Sequence, residues 1–197
     1  MRPDLEVVAD LVPAGSRVLD LGCGEGDLLA YLGKDRGCTG TGVEIDPDAV
    51  LTAIRRGVSV IEVDIDEQLG EFADSSYDVV VMSQTLQATR RPAEVLREIG
   101  RIGERCIISV PNFGLWKHRV GLLIRGRMPV SRELQHPWHE TPNIHLSTLA
   151  DIEALFAGLG MAVEKRVLLD EEAAPMRWNR AANLRAGAAA YALTSRR

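Results

Sequence analysis

The sequence predicts an α/β fold: one Rossmann-like domain, residues 1–197, on an open, mostly parallel seven-stranded sheet with helices on both faces and an antiparallel last strand. Three observations lead there. Apolar runs of strand length alternate with helical patterns five times in just over a hundred residues. The first run, Val18-Leu19-Asp20-Leu21, stops at Gly22-Cys23-Gly24-Glu25-Gly26, and a helical pattern follows. A strand, glycine turn and helix in this order bind ligands at the carboxyl ends of the strands. Near the other end, Ala188 to Thr194 reads as a strand that returns antiparallel.

Taken in order, Asp4 to Val12 has Leu5, Val8, Leu11 and Val12 at helical spacing, and Pro13-Ala14-Gly15 ends that helix. Such a lead-in helix can pack beside a ligand pocket. The helix after the glycine turn puts Leu28, Leu29 and Leu32 on one face, and Thr39 to Ile45 is the second strand. Ala49 to Arg56 is a helix with proline and acids in its first turn, stopped by Gly57. Val58 to Val63 is a third strand and Tyr77 to Ser83 a fourth; Pro92 to Gly100 is a helix with Val95, Leu96 and Ile99 inward. Glu104 to Val110 holds the fifth strand, which Pro111-Asn112 ends. The pattern breaks between Asn112 and His145, a stretch with Pro129, Pro137 and Pro142 that reads as an irregular insertion over the strand ends. Thr148 to Leu159 is again helical, Met161 to Leu169 is a sixth strand, and Asp170 to Arg185 is a polar connection.

Composition limits the function classes. Hydrophobic residues make up 46% and charged residues 26% of 197 residues, ordinary for a globular domain, and the net charge of -5 gives no global field favouring nucleic acid. No apolar run is long enough to span a bilayer, and MRPDLEVVADLV lacks the core of a signal peptide, so a cytoplasmic location is expected. Cys23, Cys38 and Cys106 are scattered and odd in number, the pattern of reduced thiols rather than of disulfides or a metal site.

The candidate site follows from charge. The turn is spaced G-x-G-x-G, and Asp20 lies two residues before its first glycine. The dinucleotide pattern G-x-G-x-x-G sets a pyrophosphate on the helix N-terminus, and a carboxylate at Asp20 would repel it. A ligand with a cationic head suits Asp20, and S-adenosylmethionine has an ammonium, a sulfonium and no phosphate. Glu44, at the end of the second strand, is placed to accept from the two hydroxyls of a ribose. At the third strand end, Asp64 or Asp66 can accept from an adenine amine with Ile65 against the ring, or can instead cap a helix.

These residues resemble class I S-adenosylmethionine-dependent methyltransferases over almost the whole chain. A narrower resemblance lies in Ser83-Gln84-Thr85-Leu86-Gln87, Val110-Pro111-Asn112-Phe113-Gly114 and Thr141-Pro142-Asn143-Ile144-His145, which look like motifs of the MetW family of methionine biosynthesis. His139-Glu140 departs from the aromatic–aspartate pair expected before TPNIH. The resemblance implies a site for S-adenosylmethionine or S-adenosylhomocysteine at Asp20, Gly22, Cys23, Gly24, Glu44, Ile45, Asp64 and Ile65, with Ser83 and Gln84 lining the pocket. It also implies a protein partner, a homoserine O-acyltransferase that the chain activates. The alternative is an active methyltransferase on a small acceptor.

Methyl transfer needs a base only if the acceptor must lose a proton. Candidates in the insertion are His118, His136, His139, Glu140 and His145. Phe113 to Pro129 mixes apolar residues with Lys117, Arg119, Arg125 and Arg127. It reads as a lid, as a docking face anchored on Trp116, Arg119, Arg125 and Trp138, or as a membrane-surface helix interrupted by glycine and proline.

Overall fold

A computed structural model describes residues 2–131, 134, 136–177 and 180–195. Parts of the expected insertion (132, 133 and 135) and of the polar connection (178–179) lie outside the described residues. The chain runs α1 (Pro3–Leu11), β1 (Arg17–Leu21), α2 (Asp27–Arg36), β2 (Thr39–Glu44), α3 (Pro47–Arg55), β3 (Val60–Glu62), β4 (Tyr77–Ser83), α4 (Pro92–Ile102), β5 (Gly103–Pro111), α5 (Trp116–Arg125), α6 (Leu149–Gly158), β6 (Met161–Leu169), α7 (Ala182–Arg185) and β7 (Ala188–Ser195). Short 3₁₀ turns occupy Leu69–Glu71 and Leu86–Ala88.

The strands form one seven-stranded sheet in the order β3-β2-β1-β4-β5-β7-β6. Only β7 is antiparallel to its neighbours, β5 and β6. The order reverses direction at β1, where β2 lies on one side and β4 on the other. Such a reversal opens a crevice beyond the strand ends, and the glycine turn sits there.

Alternation along the central strands builds a core on each face. Leu19 and Leu21 of β1 with Val80 and Met82 of β4 pack under α4 and α6, through Leu96, Ile99, Ile152 and Phe156. Val18, Val79 and Val81 face the other way, onto α1, α2 and α3 through Val8, Leu28, Leu32 and Ala53. The helix starts have local causes. Proline opens α1, α3 and α4, where its missing N–H has no helical partner to lose. Asp46 caps α3 by accepting from the Asp48 amide at 3.0 Å. Thr148 and Asp151 close a reciprocal capping box at α6.

Three expectations are corrected. The third strand is shorter than Val58 to Val63: the Val58 amide donates to Ala53 O at the end of α3, which keeps residue 58 out of the ladder. The insertion is not irregular throughout, because α5 runs unbroken through Gly121 and ends at Gly126, whose left-handed φ of 61° suits a helix terminus. The polar connection carries the four-residue α7. Among the described residues no helix is long and apolar enough to cross a membrane.

Candidate functional site

The crevice starts from the backbone of the turn after β1. The amides of Gly22 and Cys23 both donate to Val43 O, at 2.8 and 3.0 Å, which ties the turn to β2. Gly22 has φ +73°, and a Cβ there would lie 2.5 Å from Thr85 Oγ1. No other residue fits this position, for conformation and for space. Cys23 turns its Sγ onto Gly42, whose own Cβ would sit 2.5 Å away. Burial, then the charges of Asp20 and Glu44, push the Cys23 thiol up to about 12, so it remains a neutral packing group.

Glu44 is clasped by backbone. Its Oε2 accepts from the Gly24 amide at 2.8 Å, and its Oε1 accepts from Ile45 at 2.8 Å and Asp46 at 3.1 Å. Three amides therefore fix the carboxylate, and with about four lone-pair sites it keeps one open acceptor position. Asp20 is the opposite case. It is 2% exposed, and among the described residues its carboxylate has no hydrogen-bond partner. Burial first, and the neighbouring Glu44 charge second, push its pKa up to about 7, while Arg2 offsets them in part. A buried, unpaired acid at a cavity wall is a strained arrangement that a cation would relieve.

All ten sequence-derived positions line one of two adjoining cavities. The larger, about 620 Å³, is walled by Asp20, Gly22, Cys23, Gly24, Ser83 and Gln84. The smaller, about 320 Å³, is walled by Gly22, Glu44, Ile45, Asp64, Ile65 and Gln84. Gly22, Gln84, Thr85 and Pro142 belong to both, so the two form one cleft with two lobes. Gln84 holds φ +53°, a costly backbone for a side-chain residue. Its amide is fixed by Ser109 O at 2.9 Å and its Nε2 donates to Asp4 Oδ2 at 3.3 Å, which docks α1 against the cleft. Ser83 Oγ shares a hydrogen bond with Ser109 Oγ at 3.1 Å.

At the third strand end the structure assigns both acids local work. Asp64 Oδ1 accepts from the Asp66 amide at 2.9 Å and Oδ2 pairs with Arg90 at 2.8 Å. Asp66 receives the amides of Arg90 and Arg91. Burial works to raise its pKa, but those amides and the Arg90 guanidinium outweigh it and hold the carboxyl below its ordinary range.

The base candidates separate cleanly. His136 lines the larger lobe. His118 is buried instead, against Phe113 and Ser131 Oγ, and His139 is exposed beside Trp138 and Glu140. His145 faces a separate pocket with Leu86, Pro92 and Ile152. Reading the sequence missed Arg2, Thr85, Gln87 and Asn143 as cleft residues. Thr85 and Gln87 lie in a quoted motif, so that signal was present; Arg2 had none. Gln87 O accepts the amides of Ile144 and His145, both at 2.9 Å, which hangs the TPNIH segment over the cleft. The VPNFG motif has a structural cause. Asn112, fully buried, donates to Asn183 O and Ala186 O and accepts from Gly114 and Leu149, so it uses its whole side-chain capacity to pin the start of the insertion.

Comparison with known proteins bears on fold and family. A chain of the complex between the Haloferax volcanii Trm112 methyltransferase activator and a putative methyltransferase superposes with TM-score 0.72 at 18% identity, over 99% of this chain and 89% of that one. An S-adenosylmethionine-dependent methyltransferase from Mesorhizobium loti gives TM-score 0.72 at 15% identity, over 98% and 97%. The fold is thus that of S-adenosylmethionine-dependent methyltransferases. A curated relative, the bifunctional methionine biosynthesis protein MetXA/MetW of Rhodopirellula baltica, is 37% identical over 177 residues, or 85% of this chain. The chain spans only 28% of that relative's length. The family described as methionine biosynthesis protein MetW matches residues 2–193. On both counts, the chain belongs to the MetW family.

Proposed function

We propose that the cleft binds S-adenosylmethionine or S-adenosylhomocysteine and that the chain acts with, and activates, a homoserine O-acyltransferase in the cytoplasm. The observation that carries the ligand half is Asp20, a buried carboxylate, unpaired among the described residues, in the wall of the larger lobe. The residues present fit such a ligand. Asp20 would meet its ammonium end and Gly22 and Gly24 would allow close backbone approach. The open acceptor position of Glu44 would take a ribose hydroxyl, and Ile45 and Ile65 would flank the adenine. A pyrophosphate is disfavoured by Asp20; Glu25 and Asp27 line the same lobe, each paired with Arg56. Asp64, already paired with Arg90, is left to shape the smaller lobe.

The partner half is supported by the Rhodopirellula relative, in which MetXA and MetW functions share one chain. Fusion holds two proteins at high effective concentration, which is useful to proteins that work together. The test is an acyl-transfer assay of purified homoserine O-acyltransferase with and without this chain, with and without S-adenosylmethionine, alongside calorimetry of the chain alone. Faster acyl transfer and adenosyl-ligand binding are expected. Equal acyltransferase activity without the chain, or calorimetry that detects NAD and neither adenosyl ligand, would overturn the corresponding half.

One observation favours a second reading, an active methyltransferase: His136 lines the lobe that holds Asp20. The bound donor supplies an activated methyl carbon, and the chain would align an acceptor and exclude water. Turnover of S-adenosylmethionine by the isolated chain with a defined small acceptor would establish it.

A further inference from the structure

Helix α5 makes little use of the body it is attached to. From Trp116 to Val130 only His118 is buried. Leu123 is 85% and Ile124 76% exposed, and Trp116, Val120 and Leu122 are exposed as well. Trp116, Val120, Leu123 and Ile124 stand at i, i+4, i+7 and i+8. At 100° per residue they fill an arc of roughly 100° centred on the side away from His118. This is the spacing with which a helix anchors in a groove. It differs from the scattered exposed apolar residues of α3 and β3, such as Leu51 and Ile61, which are ordinary on any surface.

The charges around the stripe select its occupant. Residues Trp116 to Val130 include Lys117, Arg119, Arg125 and Arg127 and no acid. A second copy meeting this face across a two-fold axis would set each of these cations against the same set. Lys117 is already neutralised by Glu171 at 2.7 Å, and Arg119 Nε donates back to Gly114 O at 2.6 Å. Among the described residues Arg119, Arg125 and Arg127 meet no acid, and Arg125 and Arg127, exposed at the far end of the helix, are the cations offered outward. The complement is an apolar groove with acidic side chains at one end. A membrane surface would also take a basic apolar helix, but α5 has only ten residues before Gly126 turns the chain, little apolar surface for a stable hold.

We infer that α5 is the docking ridge of this chain, and that Trp116, Val120, Leu123 and Ile124 seat in an acid-ended apolar groove on the homoserine O-acyltransferase. This rests on the partnership proposed above and adds its location. The ridge belongs to the same insertion as His136, Pro142 and Asn143, which wall the cleft, so the ligand lobe and the docking face share one segment.

The test measures association of the purified chain with the acyltransferase by analytical ultracentrifugation. Val120→Asp and Leu123→Asp should each weaken the complex roughly thirtyfold or more, as truncation at an interface anchor does. Leu123→Ala with Ile124→Ala keeps strong helix formers in place and should also weaken it. Leu51→Asp, an exposed apolar position on α3, should leave it intact. Unchanged association in all ridge variants, with the wild-type pair bound, overturns the ridge and leaves the partnership standing. No association of the wild-type pair overturns both. Ridge-dependent binding to phosphatidylglycerol vesicles, or ridge-dependent self-association, with association to the acyltransferase unchanged, assigns the face to lipid or to a second copy and overturns the inference.

Discussion

The glycine turn and the insertion lie at the same carboxyl ends of the strands, yet they are held by opposite means. The turn is fixed by backbone: Gly22 and Cys23 to Val43, and Gly24 to Glu44. Little side-chain area is needed, and substitution is blocked by φ and by Thr85. The insertion is pinned at its two ends, by Asn112 at the start and by Gln87 O near Ile144 and His145, and among the described residues between them only Gly114, Leu115, His118 and Leu134 are buried. A site that must hold one geometry is built from amides and glycine. A surface that must meet another molecule is left apolar and uncovered. The protein therefore places a rigid floor opposite a loosely held roof.

The largest effect expected is at the floor, from Asp20. Its pKa rises from 3.8 to about 7 on folding. Below about pH 3 it is protonated in both states and contributes nothing. As pH rises toward 7 the unfolded chain loses this proton and the folded chain keeps it, so stability falls; above about 8 the penalty is constant, at about 4 kcal/mol at most. Asp20→Asn should therefore raise Tm at pH 8, with the gain shrinking toward pH 4. The same variant should lose affinity for the adenosyl ligands. In the wild type, binding a cation beside Asp20 should release protons near pH 7, seen as a calorimetric enthalpy that changes with the buffer's ionisation heat. A pH-independent Tm difference would show that the carboxyl is not desolvated.

Next comes Glu44→Ala. Loss of a charged acceptor for a ribose hydroxyl should cost about 1.5–3 kcal/mol of ligand affinity, roughly tenfold to a hundredfold or more. It also releases the amides of Gly24, Ile45 and Asp46, so the turn itself should loosen. Glu44→Gln separates the two effects. It retains one acceptor oxygen and the shape, and should recover most of the stability but less of the affinity. An unchanged dissociation constant in Glu44→Ala would place the ribose elsewhere.

What the sequence showed depended on how locally each feature is determined. Strands β4 and β6 run as read, Tyr77 to Ser83 and Met161 to Leu169, because turn chemistry bounds them on both sides. β3 shrank because Val58 is tied to the end of α3 through Ala53 O, which leaves Val60 to Glu62 to pair with β2. The cleft residues of the first βαβ unit were legible because Asp20, Gly22 and Glu44 lie within one stretch of chain. Gln87 reaches the cleft from the 3₁₀ turn after β4, inside a motif the sequence displays, whereas Arg2 reaches it from just before α1, and no local pattern announces that. Helix α5 was read only as one of three alternatives, an interrupted membrane-surface helix, for a different reason. The stripe expected of a helix is its buried one, and here the apolar stripe faces outward, with Gly121 in the middle.

The smallest effect expected is also the one that most directly probes the roof. His118 is the sole buried residue of α5, its ring tilted against Phe113 with centroids 5.9 Å apart and its Nε2 3.1 Å from Ser131 Oγ. Its Nδ1 is buried with no partner among the described residues. His118→Ala thus loses a packed ring and one hydrogen bond but also removes an unsatisfied polar atom, terms of about 1–3 kcal/mol that oppose each other. Global stability should change little, with Tm moving by about 2 °C or less. The local consequence should be larger. In wild-type protein, amides of Val120 to Ile124 should exchange with solvent faster than those of Val79 to Val81, and in His118→Ala the helix amides should speed up a further tenfold or so while the β4 amides do not change. If both sets accelerate together, α5 unfolds only with the sheet, and the contrast between floor and roof does not hold. If neither responds, the helix is held by its ends, through Leu115 and the Asn112 network, rather than by this one buried ring.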